Sequence, residues 1–158
     1  MSKNIKKNLL IFIISSLLVS CGYKKISQES LLINIENINI VADKRISYRL
    51  ENDIILISNT NSTNKYNLDL NLDYNKTSKI IDKTGKTTRY TLSYTGILKL
   101  KNIDGEETIN KSFTVSGDYS VAKNYSDTIS NKKNTTNRII DKMSNDITNF
   151  INLYFKTK

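Results

Sequence analysis

The segment from Tyr66 to Tyr74 alternates without a break. Tyr66, Leu68, Leu70, Leu72 and Tyr74 are apolar or aromatic, and Asn67, Asp69, Asn71 and Asp73 between them are polar. Period two belongs to a strand whose side chains point to opposite faces, so one face is dry and the other wet. A sheet with one dry face must be covered by something, and that need constrains the rest of the chain. Two more segments repeat the pattern. Tyr90, Leu92, Tyr94, Leu98 and Leu100 share one parity, with Gly96 among them as the mark of a bend or a close approach. Ile109, Phe113, Val115 and Tyr119 share another, together with Lys111 and Gly117. Thr84-Gly85-Lys86 supplies turn chemistry between the first two strands, and Asp104-Gly105 predicts a two-residue hairpin between the second and third.

Upstream, Leu31, Ile33 and Ile35 alternate, and Ile38 and Ile40 alternate in the other parity. The switch at Glu36-Asn37 predicts a bulge. Asp43 suits a helix N-cap, and Ile46, Leu50, Ile54 and Ile57 then recur at helical steps. Lys44, Arg45 and Arg49 lie in or near the first turn, against the helix dipole. Either they serve a partner or they form a solvated face. Residues 59–64 read as a polar loop. From Ser126 to Phe155 the period is helical again, with Ile140, Met143, Ile147, Ile151 and Tyr154 on one stripe, widened by Ile139, Phe150 and Phe155. Its start, Asn131 to Arg138, has weak propensity and is expected to be frayed or irregular. Strand, helix, three-strand meander and helix together predict an α+β fold. The expected form is a two-layer sandwich, a four-stranded mostly antiparallel sheet with two helices packed on one face. The place of the first strand in the sheet does not follow from the sequence.

The front of the chain is of another kind. Lys3, Lys6 and Lys7 precede an apolar run from Leu9 to Val19 that is too short to span a bilayer, which needs about 20 residues. Residues 1–20 therefore read as a cleaved signal peptide. Leu18-Val19-Ser20-Cys21-Gly22 follows, and holds the one cysteine of the chain. It resembles a bacterial lipobox, so Cys21 is expected to be lipidated, residues 21–30 to be a linker, and residues 31–158 to be a single domain. With its cysteine acylated the domain has no disulfide to lean on. The chain has no histidine, which removes the commonest metal ligand and the commonest general base. No metal, no cofactor and no enzymatic activity is expected. Removing the three signal lysines from the formal +9 leaves +6, a balance that suits anionic lipid. An exported chain is not expected to meet nucleic acid.

The arrangement resembles the outer-membrane LPS-assembly lipoprotein family LptE. The residues that carry the likeness are Cys21-Gly22-Tyr23 after the lipobox and Gly85-Lys86-Thr87-Thr88-Arg89-Tyr90 at the turn into a strand. Ser116-Gly117-Asp118-Tyr119 and then Tyr125, before a long amphipathic helix, complete it. Departures are the short chain, the Asn-rich loop after the first helix and the polar start of the last. The resemblance implies a two-layer domain that plugs the lumen of the β-barrel LptD and binds LPS for insertion into the outer leaflet. It implies a membrane anchor of acyl chains on Cys21, and Gly22 in place of aspartate implies outer-membrane retention. Several buried chains, at about 0.8 kcal/mol per CH₂, anchor a protein stably where one does not. The other role considered is a docking adaptor, an accessory lipoprotein of another envelope complex.

By position against the family pattern, Lys86, Arg89 and Lys111 are the LPS-binding candidates. Lys111 has the parity of Ile109 and Phe113, so either its stem snorkels past them or its ammonium faces an anionic ligand. Tyr66, Tyr74, Tyr90, Tyr94 and Tyr119 share parity with the leucines and read as core and core edge. Asp69 and Asp73 read as solvated strand polarity rather than an acid–base pair.

Overall fold

A computed structural model describes residues 33–105 and 107–157. Cys21, the signal peptide and the linker lie outside these residues. Strand β1 (Asn34–Val41) leads into helix α1 (Lys44–Ile55), followed by strands β2 (Lys65–Ile81), β3 (Thr87–Asn102) and β4 (Thr108–Ser120) and helix α2 (Tyr125–Lys156). The sheet order is β1-β2-β3-β4. β1 runs parallel to β2, and the other pairs are antiparallel. This is the expected α+β architecture, and the first strand now has its place: a parallel edge joined through α1.

The local rules hold at most points. The register of β1 shifts between Ile35 and Asn37, which turns Ile33 and Ile35 before the shift, and Ile38 and Ile40 after it, toward the same core. The Ile35 amide next to this bulge donates to Ser58 Oγ at 2.8 Å. The Asp43 carboxylate caps α1 by accepting from the Arg45 amide at 3.1 Å. Leu50 and Ile54 on α1 and Ile139, Ile140, Met143, Ile147 and Ile151 on α2 are buried against Leu68, Leu70, Leu92, Leu98 and Leu100 of the sheet. Both apolar stripes thus meet the same dry face. Arg49 pairs with Asp141, and Ser144 Oγ donates to Asp53 at 2.6 Å, tying the helices to each other. The opposite sheet face is mostly polar, with Asn37 donating to Asn67 at 2.8 Å and Asn39 to Asp69 at 3.0 Å, and carries Val41 and Ile97 exposed on either side of Asn71.

β2 continues past the alternating segment to Ile81, because β3 keeps pairing with it. Two expectations need correction. Asp104-Gly105 does not make a two-residue turn. That turn needs positive φ, and among the described residues Gly85 is the one glycine that has it. Instead Asn102 Oδ1 accepts from the Asp104 amide at 2.8 Å, and the Asn102 amide donates to the Glu107 carbonyl at 3.0 Å, closing a longer loop. The start of α2 is regular helix rather than frayed. Its polar side chains find partners on β4: Thr135, 2% exposed, donates to the Asp118 carbonyl at 3.1 Å, and Asn131 donates to the Ser120 carbonyl at 3.2 Å.

Candidate functional site

The β2–β3 hairpin projects beyond β1, whose last partner on β2 is Asn71. Its tip is built around Asp82. The Asp82 carboxylate accepts from the Thr84 hydroxyl at 2.6 Å, the Thr84 amide at 2.8 Å and the Lys86 amide at 3.0 Å. These bonds, the Thr84 hydroxyl first, hold its pKa below the ordinary carboxylate value. Gly85, at φ 81°, closes the turn. Lys86 sits in this turn and Arg89 three residues on, paired with Ile80 and Ser120. Both side chains are exposed. Lys79 from β2 reaches across to Asp118 on β4, and this ammonium, with the Thr91 hydroxyl, lowers the Asp118 pKa. Lys83, Lys86 and Arg89 are left as a basic tip that forms no ion pair among the described residues, with Arg89 acting on Asp118 only at longer range.

Lys111 is not part of that tip. It pairs with Leu98, whereas Arg89 pairs with Ser120, so the two lie nine residues apart along β3. At about 3.3 Å per residue that is roughly 30 Å. Lys111 shares the helix-side face with Phe113, is exposed, and holds its ammonium 5.6 Å from the centre of the Phe150 ring. It snorkels along an aromatic edge. The structure therefore brings Lys86 and Arg89 together and leaves Lys111 elsewhere.

The tyrosines divide as well. Tyr66 is buried, its ring 5.0 Å from Phe155, and its hydroxyl donates to Glu107 at 2.9 Å; Tyr154 donates to the other oxygen of the same carboxylate at 2.9 Å. Tyr90 and Tyr119 stack at 5.4 Å, with Lys76 Nζ 3.7 Å above Tyr90. Tyr74 and Tyr94 meet at 5.0 Å on the floor of a cleft of about 1200 Å³ between the start of α1 and the first half of α2. Burial raises the Tyr94 pKa there. Lys44, Arg45, Arg49, Lys132 and Lys133 stand around the same cleft.

With this geometry in hand, the fold can be compared with known structures. No family model matches the sequence, and no curated protein matches it. Solved structures do. A crystal structure of rare lipoprotein B from Shewanella oneidensis is 12% identical and matches over 77% of this chain and 94% of its own, at a TM-score of 0.51. The fold is that of rare lipoprotein B. A lipoprotein candidate from Caulobacter crescentus matches at 15% identity over 77% of this chain and 92% of its own, with a TM-score of 0.52. The solution structure of an uncharacterized lipoprotein B from Nitrosomonas europaea matches at 12% identity over 80% of this chain and 88% of its own, with a TM-score of 0.54.

Within this lipoprotein fold, the interhelical cleft is the feature that sequence reasoning missed. The one signal that pointed to it was the set of cations at the start of α1. Lys132 and Lys133 gave no signal of their own, because their position opposite α1 depends on how the two helices pack. Among the described residues no group of three or more carboxylates, cysteines or histidines gathers as a metal site.

Proposed function

We propose that this chain is an outer-membrane lipoprotein of the LptE type, anchored through Cys21, that assembles with and plugs an LptD-type β-barrel and binds LPS. The observation that carries the reading is the two-layer fold shared with rare lipoprotein B, standing behind a lipobox-like segment at Cys21. The polar open face of the sheet supports it. A barrel presents apolar side chains to lipid and polar ones to its lumen, and a plug facing that lumen needs a polar surface. Asn37, Asn39, Asn67, Asp69, Thr95 and Thr114 provide one, already tied together by side-chain hydrogen bonds. The exposed cations of the hairpin tip, Lys86 and Arg89, would meet the phosphates of LPS. Lys111 contributes at most a second, separate contact. The role is one of binding and assembly, without catalysis.

Detergent extraction of the full chain from its own envelope tests the reading. Recovery with a large β-barrel in stoichiometric amount is expected. Recovery with a different envelope complex would replace the plug by the docking-adaptor role. Cys21→Ala is expected to release the chain from the outer-membrane fraction, and an unchanged location would refute the anchor. Lys86→Ala combined with Arg89→Ala is expected to weaken LPS capture, and undiminished capture would remove the tip from the binding site.

A further inference from the structure

The cleft between α1 and α2 carries chemistry that the barrel and LPS roles do not use. Its floor is apolar and aromatic: Ile46 from α1, Tyr74 from β2, Tyr94 from β3, and Ile129 and Ile140 from α2. Tyr74 and Ile129 are 45% and 46% exposed there, so the floor is open rather than sealed by packing. Its mouth is cationic from two sides, with Lys44 and Arg45 on α1 and Lys132 and Lys133 on α2. Among the described residues none of these four pairs with a carboxylate. Arg49, further along α1, is taken by Asp141. The one acid in the lining, Asp43, is committed to capping α1 through the Arg45 amide.

Each half of this arrangement is costly alone. Cations at a helix start oppose the dipole, and like charges gathered from two helices repel. An open aromatic floor leaves apolar surface in water. A ligand with an anionic head and an apolar chain relieves both at once. A small inorganic anion has no use for the floor, and a neutral apolar ligand has none for the mouth. The cleft volume, about 1200 Å³ with one side open, is of the size that takes a single small-molecule ligand. We propose that this cleft binds an anionic glycerophospholipid. One acyl chain lies along Ile46, Tyr74, Tyr94 and Ile140, and the phosphate sits between the Lys44–Arg45 and Lys132–Lys133 pairs.

The test uses the full chain in neutral detergent micelles with a phosphatidylglycerol bearing a photoreactive group in one acyl chain. Crosslinks are expected at the cleft residues of α1, α2 and β2. Unlabelled phosphatidylglycerol is expected to compete, and phosphatidylcholine with the same chains is not. Lys132→Glu with Lys133→Glu is expected to lower the crosslink yield at least tenfold, and Arg45→Glu to lower it severalfold, with the thermal melt of each variant reporting that the fold is retained. Lys101→Glu with Lys156→Glu changes the net charge equally at the far end of the domain and is expected to leave the yield unchanged. Equal competition by phosphatidylcholine, displacement by inorganic phosphate alone, tighter competition by LPS, crosslinks outside the cleft, or equal loss in both double variants would each overturn the proposal. Barrel co-purification of the Lys132→Glu, Lys133→Glu variant is expected to persist, so failure here and failure of the plug role are separable.

Discussion

The two halves of strand β2 have the same pairing with β3 and different surroundings. In the near half Leu68 and Leu70 on β2 pair with Leu100 and Leu98 on β3, and these four and Tyr66 are buried beneath the helices. β1 flanks this half on one side and β4 on the other. In the far half every β2 residue from Asp73 to Ile81 is exposed, and β1 no longer covers its edge. The near half is stabilised by burial. In the far half only β3 reaches the core, through Leu92 and Tyr94, and its β2 partner is held by local devices: the Asp82 clamp, Gly85 in the turn, the Lys79–Asp118 bridge, and Lys76 over the Tyr90–Tyr119 stack. Its free edge carries Lys76 and Lys79 and is broken by register shifts around Ile80, which are features that discourage pairing with another strand. A strand can outrun its core when its partner strand and its turn suffice to hold it.

Mutations should separate the halves by size of effect. Leu98→Ala, at a fully buried site, is expected to cost about 2–5 kcal/mol, whereas Ile80→Ala in the far half should cost under about 0.5 kcal/mol. Chemical denaturation of both variants reads the difference, and equal losses would show that the far end of β2 is packed as tightly as the near half. Next in size is Gly117→Val. A Cβ at Gly117 already meets Thr135 Cγ2 at 3.1 Å and Ile139 side-chain carbons at 3.3 Å, so overpacking of about 1–3 kcal/mol is expected. Thermal unfolding of this variant should show β4 and α2 loosening together. Gly85→Ala is smaller. Open space surrounds that position, so only its positive φ resists the change, at about 1–2 kcal/mol. Its effect should be confined to faster amide exchange at the hairpin tip.

Acidification should give the smallest and most local effect. The Asp82 and Asp118 carboxylates have folded pKa values below their ordinary ones. Their stabilisation is therefore complete above the unfolded value, near about pH 4, and is lost as pH falls through the lower folded values. Amide protection factors, corrected for the intrinsic pH dependence of exchange, should fall around Lys79, Lys86 and Arg89 on acidification below about pH 4 while those around Leu68 and Leu98 hold. A uniform loss of protection would mean that the two halves open as one.

What the sequence made legible follows the same division. Alternation marked the near half of β2 because each leucine there has a core to enter. Beyond Tyr74 the run Asn75-Lys76-Thr77-Ser78-Lys79 has no apolar parity, and its strand state comes from β3, a distant partner that periodicity cannot reveal. The parallel place of β1 was hidden for the same reason. The loop at Asp104-Gly105 misled because the Asn102 side chain decides its geometry. The polar start of α2 looked weak because its partners, the Asp118 and Ser120 carbonyls, belong to another element. For the candidate site, Lys86 and Arg89 were close enough in sequence to be read as one tip. Lys111 could not be separated from them without the register of β3 and β4. The cleft required two helices to meet.

The length of β2 has a consequence of its own. Its first residue, Lys65, pairs with Asn34, the first residue of β1, and its last, Ile81, adjoins the Asp82 turn. Seventeen residues of extended backbone separate them, a span of up to about 55 Å at 3.3 Å per residue. The strand is thus a measuring rod with the front of the domain at one end and its basic tip at the other. Its length therefore sets how far the basic tip stands from the front of the domain.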